Sequence, residues 1–435
     1  MRYYALIAGG GTAGHALPAL RLAEELAKRQ PDRRIGLIGG RRGLERKVWS
    51  SSAFDTYYLP GRGIPRVTSR LSFAGMVRYL LEMVDFVINQ LGSLLQSIKL
   101  IVLNRPSVVV VFGGYSAIAP ALVGVSMGVP LVVVNVDSIA GRSNRILSHF
   151  ARAVAVAWPG TGLPKEQVTG MPVSSGIIEA GSVRRAILGA LSANTAPASG
   201  DGDGGEDVVV DQYEAEKLRH LARGTLGLPE ERTVILAVGG SLGARRLNEL
   251  VMELSSIWEE RGDLAVYHIA GERFLQESSA YAERLGLSDS GSAQGGQERA
   301  GRIYYGQVGY EPRMDRAYLA ADFAICRAGA VTVGELAVAA LPALLIPLPG
   351  APSRHQEANA AVLTSIGAAI MVEEEDMTAA KLDEMLKGIV DDRDRLRKMS
   401  AAYPGLNNID GTSNLADLVG RYVDRIGRRD RSGSS

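Results

Sequence analysis

The chain has 435 residues, of which 22% are charged, and its formal net charge is +1 at pH 7. This length is too large for one ordinary core and fits two domains of average size, while the balanced charge argues against a nucleic-acid-binding surface. The single cysteine, Cys326, excludes an intramolecular disulfide and any metal site built from several cysteines, which favours a reducing compartment such as the cytosol.

The first 160 residues alternate strand and helix signals. The predicted strands are YYALIAG, RIGLIGG, SVVVVFGG, PLVVVNV and AVAVAW, and helices are predicted at 18–29, 71–103 and 116–127. Several of these strands are continuous runs of Val, Ile and Leu, which are typical of a parallel sheet covered by helices on both faces. The pattern predicts a doubly wound α/β lobe over residues 1–160. Because the first strand begins without a basic stretch or a small-residue cleavage site, we expect no signal peptide.

The longest apolar region, residues 71–103, is predicted to form one or two amphipathic helices. Charged residues interrupt it, so no window of about 20 residues is free of charge, and we expect no membrane-spanning helix. Two interpretations remain open: the apolar face packs in the core, or it touches a membrane surface. Four arginines in or near the segment favour contact with anionic headgroups: Arg62, Arg66, Arg70 and Arg78.

The strand and helix pattern restarts near residue 233. The predicted strands are TVILAVGG, LAVYHIAG, RIYYGQ, DFAICRAG, PALLIPLPG and AAIMVEEE, and the helices are at 243–261, 312–320, 331–339 and 355–366. We therefore predict a second α/β lobe over residues 161–409. The last segment, 410–435, is expected to form a helix that packs back on the first lobe and to end in a disordered tail.

Residues 191–216 are rich in Gly, Ala, Ser and acids, and they indicate a flexible surface insertion. Within it, Asp201 and Asp203 have the Asp-x-Asp spacing with which metal-dependent transferases hold a nucleotide diphosphate. A pair of metal ligands needs a rigid mount, so we interpret these residues, and likewise Asp392 and Asp394, as solvated surface. No metal site is predicted.

Four glycine-rich turns follow predicted strands: GGGTAGH (9–15), FGGYSA (112–117), VGGSLGA (238–244) and CRAGAVTVGE (326–335). A glycine turn lets a ligand approach the backbone, and the helix that follows offers free N–H groups to an anion. Open α/β sheets bind ligands at the carboxyl ends of their strands, so we expect a ligand cleft between the two lobes.

The first turn also matches a dinucleotide-binding loop. Gly9, Gly11 and Gly14 have the G-x-G-x-x-G spacing, and Arg41 and Arg42 after the second strand are compatible with the 2′-phosphate of NADPH. An NADPH enzyme is therefore an alternative, although it leaves the glycine turns of the second lobe unexplained.

Taken in order, seven motifs resemble those of the MurG-type glycosyltransferases: GGTAGHALP, VVVFGGYSAIAP, GRSNRIL, VILAVGGSLGARRLN, RAGAVTVGELA, PALLIPLP and HQEANA. The resemblance covers nearly the whole chain except 191–216. It implies a GT-B fold, in which two doubly wound Rossmann-like lobes face each other across a cleft. The N-terminal lobe would hold the acceptor, and the C-terminal lobe would hold the UDP-sugar donor.

The resemblance also implies an activity and a location. The reaction is the inverting transfer of GlcNAc from UDP-GlcNAc to the 4-hydroxyl of lipid-linked N-acetylmuramyl-pentapeptide, which converts lipid I to lipid II in peptidoglycan synthesis. The enzyme would lie peripherally on the cytoplasmic face of the cell membrane. No cofactor, metal or nucleic acid is expected among its ligands.

For the donor diphosphate, the resemblance assigns the following residues: Gly240, Ser241, Gly243, Ala330, Val331 and Thr332. The last three would begin a helix whose N–H groups and dipole stabilise the departing UDP. Glu335 would accept hydrogen bonds from the ribose, or alternatively complement the helix dipole. His355 and Gln356 would contact GlcNAc hydroxyls, and Tyr310 would cover the base or the diphosphate.

For the acceptor, the resemblance assigns Thr12, Gly14, His15, Tyr115 and Asn144. Transfer requires the muramyl 4-hydroxyl to lose a proton as it attacks the anomeric carbon, and a positioned base typically contributes about 10² to 10⁴-fold. His15 is the predicted base, and contact with the acceptor or its diphosphate is its alternative role.

The chain departs from the family pattern mainly on the acceptor side. The family's HEQN segment corresponds to Val134, Asn135, Val136 and Asp137, and Ser174 stands where an arginine is usual. Asp137 is a second catalytic candidate, because a carboxylate facing the predicted base would orient it or act as the base itself. Its alternative role is the N-cap of the following helix. The departures leave two further alternatives open: a different lipid-linked or small glycoside acceptor, or a non-catalytic paralogue.

Overall fold

The computed structural model describes residues 2–63, 73–193, 212–240, 243–287, 301–351, 354–375, 377–403 and 410–432. The chain divides into two units, one made of residues 1–173 and 410–435 and the other of residues 174–409. Residues 161–173 therefore fall in the first unit, whereas the sequence pattern assigned them to the second lobe. The reason is a short strand at 166–168, which pairs with the preceding strand of the first sheet.

The first unit is built on a parallel seven-stranded sheet in the order β3-β2-β1-β4-β5-β6-β7. The strands are β1 (Tyr3–Gly9), β2 (Arg34–Gly40), β3 (Asp55–Leu59), β4 (Val108–Gly113), β5 (Leu131–Asn135), β6 (Ala153–Val156) and β7 (Glu166–Val168). β4, β5 and β6 are buried along their whole length, as their apolar runs predict. The edge strands β3 and β7 were not predicted, because β3 mixes polar and aromatic residues and β7 is only three residues long.

Helices cover both faces of this sheet. They are α1 (Ala13–Arg29), α2 (Glu45–Val48), α3 (Phe73–Asn104), α4 (Ile118–Ser126) and α5 (Arg142–Ser148), with a 3₁₀ turn at Tyr115–Ala117. The C-terminal helix, Gly411–Ser432, packs against α1, and its residues Ser413 and Asp417 accept hydrogen bonds from the guanidinium of Arg29. α1 begins at Ala13 rather than at the predicted residue 18, so its first turn lies inside the glycine motif.

The second unit is built on a parallel six-stranded sheet in the order β10-β9-β8-β11-β12-β13. Its strands are β8 (Thr233–Val238), β9 (Leu264–Ile269), β10 (Tyr304–Val308), β11 (Phe323–Cys326), β12 (Ala343–Leu345) and β13 (Ala369–Met371). Its helices are α6 (Ser175–Ala193), α7 (Gln212–Thr225), α8 (Arg245–Ile257), α9 (Leu275–Arg284), α10 (Met314–Ala320), α11 (Ala330–Ala339), α12 (His355–Ser365), α13 (Ala379–Val390) and α14 (Arg393–Ala401). The predicted second α/β lobe is thus confirmed as a doubly wound sheet.

Each sheet has one point at which its connections reverse direction. It lies between β1 and β4 in the first unit and between β8 and β11 in the second. Doubly wound sheets bind ligands beyond the carboxyl ends of the strands at such a switch point. The four predicted glycine turns lie at the carboxyl ends of these four strands, so both switch points carry the motifs that the sequence singled out.

The predicted insertion is shorter than 191–216, because α6 runs to Ala193 and α7 begins at Gln212. Asp201 and Asp203 lie outside the described residues. Asp392 is the N-cap of α14, where its carboxylate accepts the backbone N–H of Arg395 at 2.9 Å. Among the residues that the structure describes, no group of three or more His, Cys, Asp and Glu side chains could hold a metal ion.

Candidate functional site

His15 and Asn144 meet at the switch point of the first unit. A Cβ atom at Gly113 would lie 3.0 Å from Asn144 Oδ1 and 3.3 Å from His15 Nε2, and Gly113 has a left-handed φ of +108°. Only glycine therefore fits between the two side chains. The glycine turn after β4 leaves a small polar surface that the imidazole and the amide share.

The tautomer of His15 follows from its hydrogen bond. Nδ1 lies 3.1 Å from the carbonyl oxygen of Gly10. A carbonyl only accepts, so Nδ1 carries the proton and, in the neutral ring, Nε2 keeps its lone pair. The first turn of α1 thus presents a proton acceptor toward Gly113. This is the chemical state that a general base requires.

Asn144 has a buried acceptor that the protein does not use. Its Nδ2 donates to the carbonyl of Val134 at 3.1 Å and to Asn135 Oδ1 at 3.2 Å. Its Oδ1 is buried and has no hydrogen-bond partner within the described part of the chain. Both neighbours of Nδ2 are acceptors, which fixes the orientation of the amide. A ligand that donates a hydrogen bond at Gly113 would satisfy Oδ1.

Asp137 lies in the loop after β5, and the backbone of this loop is held by Asn135, whose Nδ2 donates to the Asp137 carbonyl at 2.6 Å. The N-cap alternative for Asp137 is wrong, because α5 begins at Arg142 with Gly141 as its N-cap.

Thr12, Gly14 and Tyr115 complete the predicted acceptor set on the same edge of the sheet. Thr12 is exposed and occupies the N-cap position of α1, where its hydroxyl makes no cap hydrogen bond. The ring of Tyr115 packs on Gly11 and Gly40, and a Cβ at Gly40 would lie 2.6 Å from its hydroxyl. Burial and, second, the charge of Glu45 raise the pKa of Tyr115, so it stays a neutral donor at physiological pH.

The switch point of the second unit begins with the turn after β8. Gly240 and Gly243 have left-handed φ values of +83° and +70°, which require glycine. Ser241 lies outside the described residues. A Cβ at Gly243 would lie 2.9 Å from the carbonyl oxygen of Ala270, so this turn packs tightly against the loop that follows β9.

The turn after β11 opens directly into a helix N-terminus. Gly329 is the N-cap of α11, and neither a capping side chain nor an acidic residue lies in the first turn. The N–H groups of Ala330, Val331 and Thr332 have no intrahelical acceptor and form the positive end of the helix dipole. This arrangement suits an anion such as a diphosphate.

Glu335 lies in the second turn of α11 and accepts a hydrogen bond from the buried hydroxyl of Tyr318 at 2.9 Å. Its alternative role as an acid of the first turn is therefore wrong, since that turn contains no acid. Burial and, second, the charge of Glu335 raise the pKa of Tyr318 well above its usual value. The tyrosine thus remains a donor that orients the carboxylate.

His355 and Gln356 begin α12, after the left-handed residue Arg354. Gln356 Oε1 accepts the backbone N–H of Leu348 at 2.8 Å, which leaves its two N–H donors for a ligand. Asn359 is buried and donates to the carbonyl of Ala328 at 3.4 Å. The start of α12 is thus tied to the loops that follow both β11 and β12.

Tyr310 is 67% exposed, so its ring is not packed into the unit. The neighbouring Glu311, which replaces an apolar residue of the family pattern, is buried and accepts the hydroxyl of Tyr267 at 2.6 Å and the backbone N–H of Arg313 at 2.8 Å. The carboxylate of Glu311 therefore has hydrogen-bond partners within the second unit.

Family models match both units at these loops. The N-terminal domain of glycosyltransferase family 28 matches residues 5–156, and the C-terminal domain of the same family matches residues 234–417. The chain belongs to glycosyltransferase family 28. Relatives called UDP-N-acetylglucosamine--N-acetylmuramyl-(pentapeptide) pyrophosphoryl-undecaprenol N-acetylglucosamine transferase place it in the MurG-type branch. The protein of Nocardioides is 31% identical, and the alignment covers 95% of this chain and 96% of the relative. The protein of Thiobacillus denitrificans is 33% identical, with 95% of this chain and 96% of the relative covered.

Solved structures agree with the GT-B fold of family 28. MurG of Acinetobacter baumannii matches with a TM-score of 0.65 at 23% identity, over 97% of this chain and 100% of that chain. The calicheamicin glycosyltransferase CalG4 matches with a TM-score of 0.55 at 14% identity, over 98% and 100%. The predicted fold is confirmed, and the NADPH alternative has no support from the family.

Glu45 is a site residue that sequence reasoning missed. Its carboxylate is fully buried and accepts the backbone N–H of Gly40 at 2.6 Å and that of Gly11 at 3.1 Å. The N–H of Gly11 is one that a dinucleotide turn would offer to a pyrophosphate, and here a carboxylate occupies it. The sequence did contain one signal for Glu45, namely an acidic residue in the glycine-containing segment that follows the buried strand β2.

A second missed cluster surrounds His268 on β9. Its Nδ1 lies 2.7 Å from the hydroxyl of Tyr305, and its Nε2 lies 3.1 Å from Asn248 Oδ1. Asn248 in turn donates to the carbonyl of Ala270 at 2.8 Å, beside Gly243. Burial lowers the pKa of His268 to about 3, so the ring is neutral. The network holds the loop against which the glycine turn after β8 packs.

Arg327 is a third residue that the sequence reasoning missed. It is buried and directly follows β11, within the glycine-rich motif 326–335. Its Nη1 donates to the carbonyls of Ile346 and Pro347 at 3.2 Å each, and it forms an ion pair with Glu374. The guanidinium thus joins the loops that follow three neighbouring strands, β11, β12 and β13.

α3 reverses the burial pattern of an ordinary amphipathic helix. Its buried side includes the polar residues Ser93 and Ser97, whereas its exposed side carries a long apolar stripe that includes Leu80, Leu81 and Leu95, which are 58%, 66% and 67% exposed. The core-packing interpretation of this segment is therefore wrong for most of the helix. By length and composition, Gly75–Asn104 is also apolar enough to cross a membrane.

Proposed function

We propose that the protein transfers GlcNAc from UDP-GlcNAc to the 4-hydroxyl of a lipid-linked N-acetylmuramyl-pentapeptide, with inversion at the anomeric carbon. This is the conversion of lipid I to lipid II. The observation that carries the proposal is the similarity of nearly the whole chain, at about one third identity, to relatives named for this reaction. The side chains at both switch points support it.

The first unit binds the acceptor. Thr12, Gly14, Tyr115 and Asn144 contact it, and the unpartnered Asn144 Oδ1 accepts a hydrogen bond from a hydroxyl or amide of the substrate. His15 Nε2 takes the proton of the 4-hydroxyl as that oxygen bonds to the anomeric carbon. The hydrogen bond from Nδ1 to Gly10 keeps the tautomer that this step needs.

The second unit binds the donor. The diphosphate lies against Gly240, Ser241 and Gly243 and against the N-terminus of α11, formed by Ala330, Val331 and Thr332. When the bond between the anomeric carbon and the UDP oxygen breaks, its electron pair stays with UDP, and the open N–H groups of α11 stabilise this charge.

The remaining donor contacts fix the sugar and the nucleoside. Glu335, oriented by Tyr318, accepts hydrogen bonds from the ribose hydroxyls. His355 and Gln356 bind GlcNAc hydroxyls, and the Gln356 side chain does so with the amide N–H groups that Leu348 leaves available. The exposed ring of Tyr310 covers the base or the diphosphate.

Asp137 is a second catalytic candidate in this proposal. It follows Asn135, which hydrogen-bonds to Asn144 and so links the loop after β5 to the surface at Gly113. In this role the carboxylate orients the protonated imidazole of His15 after proton transfer. Turnover of Asp137→Asn that equals wild-type turnover at every pH from 6 to 9 would eliminate this role.

We further propose that the protein lies on the cytoplasmic face of the cell membrane and that the exposed apolar side of α3 enters the interface. A water-facing helix surface of this length is unfavourable unless another apolar phase covers it. Among the nearby arginines, Arg78 is 82% exposed at its side chain and pairs with Glu82, and Arg62 pairs with Asp85. Arg66 and Arg70 lie outside the described residues.

The acceptor is tested with a panel of substrates. Purified protein and UDP-GlcNAc are incubated with lipid-linked muramyl-pentapeptide, with the same lipid lacking the peptide, and with simple glycosides. Product mass and the anomeric coupling in NMR spectra identify the linkage. A β-linked GlcNAc on the muramyl 4-oxygen supports the proposal. If only another glycoside is glycosylated, the proposed acceptor is wrong and that glycoside takes its place. Donor binding with no product on any acceptor supports a non-catalytic paralogue.

A further inference from the structure

A cavity of about 360 Å³ lies in the second unit, at the amino ends of β8, β11 and β12. Thr233, Asp322 and Pro342, at these strand starts, contribute to its wall, and α6, α7 and α14 supply most of the rest. The candidate donor turns follow the carboxyl ends of β8 and β11, so the cavity lies at the opposite edge of the sheet. We call it the arginine cavity after its six arginines: Arg184, Arg219, Arg223, Arg232, Arg393 and Arg397.

Three of these arginines surround one carboxylate. Arg219 and Arg223 both form ion pairs with Asp322, whose Oδ2 also accepts the backbone N–H of Val234 at 2.8 Å. Arg184 is buried beside them and donates to backbone carbonyls at the ends of α10 and α11. Two of the three guanidinium groups therefore share the carboxylate of Asp322, and the third donates to backbone carbonyls.

Burial and mutual repulsion disfavour the charged forms of the arginines in this cluster. Burial and, second, repulsion from Arg219 lower the pKa of Arg184 to about 10, and the same causes lower the pKa of Arg223. In addition, Nε of Arg219 is buried and has no hydrogen-bond partner among the residues that the structure describes. A buried donor without an acceptor is unfavourable, and an anion in the cavity would supply the missing acceptor.

The rim of the cavity carries two further arginines. Arg393 and Arg397 are exposed on α14, and Arg397 forms an ion pair with the exposed Asp394 at 3.0 Å. Three glutamates also line the cavity, Glu216, Glu230 and Glu231, and Glu230 pairs with the ring of His220 at 3.3 Å. With Asp322, the lining holds four carboxylates against six guanidinium groups, so its net charge is positive whatever the charge of His220.

We propose that the arginine cavity binds a small phosphate-bearing anion at a site separate from that of the UDP-sugar. Guanidinium groups match the oxygen geometry of phosphate and keep their charge when buried. A cavity of about 360 Å³ accommodates phosphate, pyrophosphate or a sugar phosphate, and it excludes a polymer. The proposal does not depend on the transferase reaction or on its acceptor.

Isothermal titration of pyrophosphate into the full chain tests this site. The buffer contains no phosphate, and saturating UDP blocks the donor diphosphate site. Wild-type protein is expected to bind one pyrophosphate. The rim double variant Arg393→Glu/Arg397→Glu is expected to bind at least about tenfold more weakly, because it loses charge-assisted hydrogen bonds.

The matched control is Lys398→Glu/Arg284→Glu. It changes the net charge equally, and both residues are exposed on the same unit without lining the cavity. Its affinity is expected to stay within about twofold of wild type. UDP affinity, measured separately, should be equal in all three proteins.

Absence of pyrophosphate binding to the wild type at millimolar concentration would overturn the proposal, and so would equal weakening in both double variants. The internal variant Arg219→Lys adds an independent measurement, because it keeps the charge but removes Nε. Weakened binding of pyrophosphate with unchanged UDP affinity is the expected result, and unchanged binding of both would contradict the role given to Nε.

Discussion

Replacement of Glu45 by glutamine tests how the first glycine loop is held in place. The carboxylate accepts two backbone N–H groups, from Gly40 at 2.6 Å and from Gly11 at 3.1 Å. In Glu45→Gln the side chain keeps its shape but has only one oxygen. One of the two backbone N–H groups then loses its acceptor or faces the amide N–H₂ of the glutamine. The other N–H still has an acceptor, but this acceptor is a neutral amide oxygen instead of a carboxylate oxygen.

The expected cost follows from these two bonds. Hydrogen bonds to charged groups contribute about 1.5 to 3 kcal/mol each, and an unsatisfied buried donor costs a similar amount. We therefore expect Glu45→Gln to lower the free energy of unfolding by about 2 to 4 kcal/mol. For a unit of about 200 residues, this corresponds to a decrease of roughly 5 to 15 °C in the midpoint of thermal unfolding.

The assay combines thermal unfolding with steady-state kinetics. Gly11 lies four residues before His15, so the loosened loop should lower kcat while the KM for UDP-GlcNAc stays near its wild-type value. Loss of the Glu45 charge should also lower the pKa of Tyr115, which that charge helps to raise, and absorbance titration would record the change. The control Glu24→Gln removes an exposed carboxylate from α1. Equal melting midpoints for the two variants would refute the reasoning.

Three further predictions concern catalysis, pH dependence and the membrane. His15→Asn preserves a donor to Gly10 but removes the base, so kcat should fall about 10² to 10⁴-fold while UDP-GlcNAc affinity, measured by titration, is retained. The lowered pKa of His268 stabilises the fold above pH 6.5, and this stability is lost as pH falls toward about 3. The unfolding free energy of the wild type should therefore decrease by up to about 1.4 kcal/mol per pH unit in that window. In His268→Gln, the unfolding free energy obtained from urea titrations should depend less steeply on pH. Leu80→Glu/Leu81→Glu should abolish co-sedimentation with anionic vesicles, whereas Leu221→Glu, a 63% exposed control on α7, should not.

The sequence predicted the sheets and the turns well because both have strong local signals. Runs such as VVVVFG are buried in full, and the four glycine motifs lie at the two switch points. The first residue of α1 was predicted less well. The helix was predicted to start at residue 18, but it begins at Ala13 and contains Pro18, so His15 lies in its first turn rather than in a loop before it.

The missed site residues depend on contacts that no local pattern encodes. Glu45 belongs to a four-residue helix after β2, and its role exists only because the loop after β1 folds over it. His268 lies in a continuous buried strand, where a histidine has no distinguishing periodicity, and its partners come from β10 and α8. Such residues become visible only when strands distant in the chain lie side by side.

The interpretation of α3 failed for a related reason. Helical periodicity identifies an apolar face but does not say what covers it. In the structure, the polar side, with Ser93 and Ser97, faces inward, and most of the large apolar side chains face outward. A helix that packs in the core and a helix whose apolar side contacts a membrane have the same periodicity, and they are distinguished only by which residues are buried in the structure.

The most direct test of the transferase function is UDP release from UDP-GlcNAc, measured with and without a short-chain lipid-linked muramyl-pentapeptide. We predict UDP release that depends on the acceptor, together with a product that is heavier than the acceptor by one N-acetylhexosamine. Binding of UDP-GlcNAc without release of UDP when that acceptor is present would contradict the proposed function.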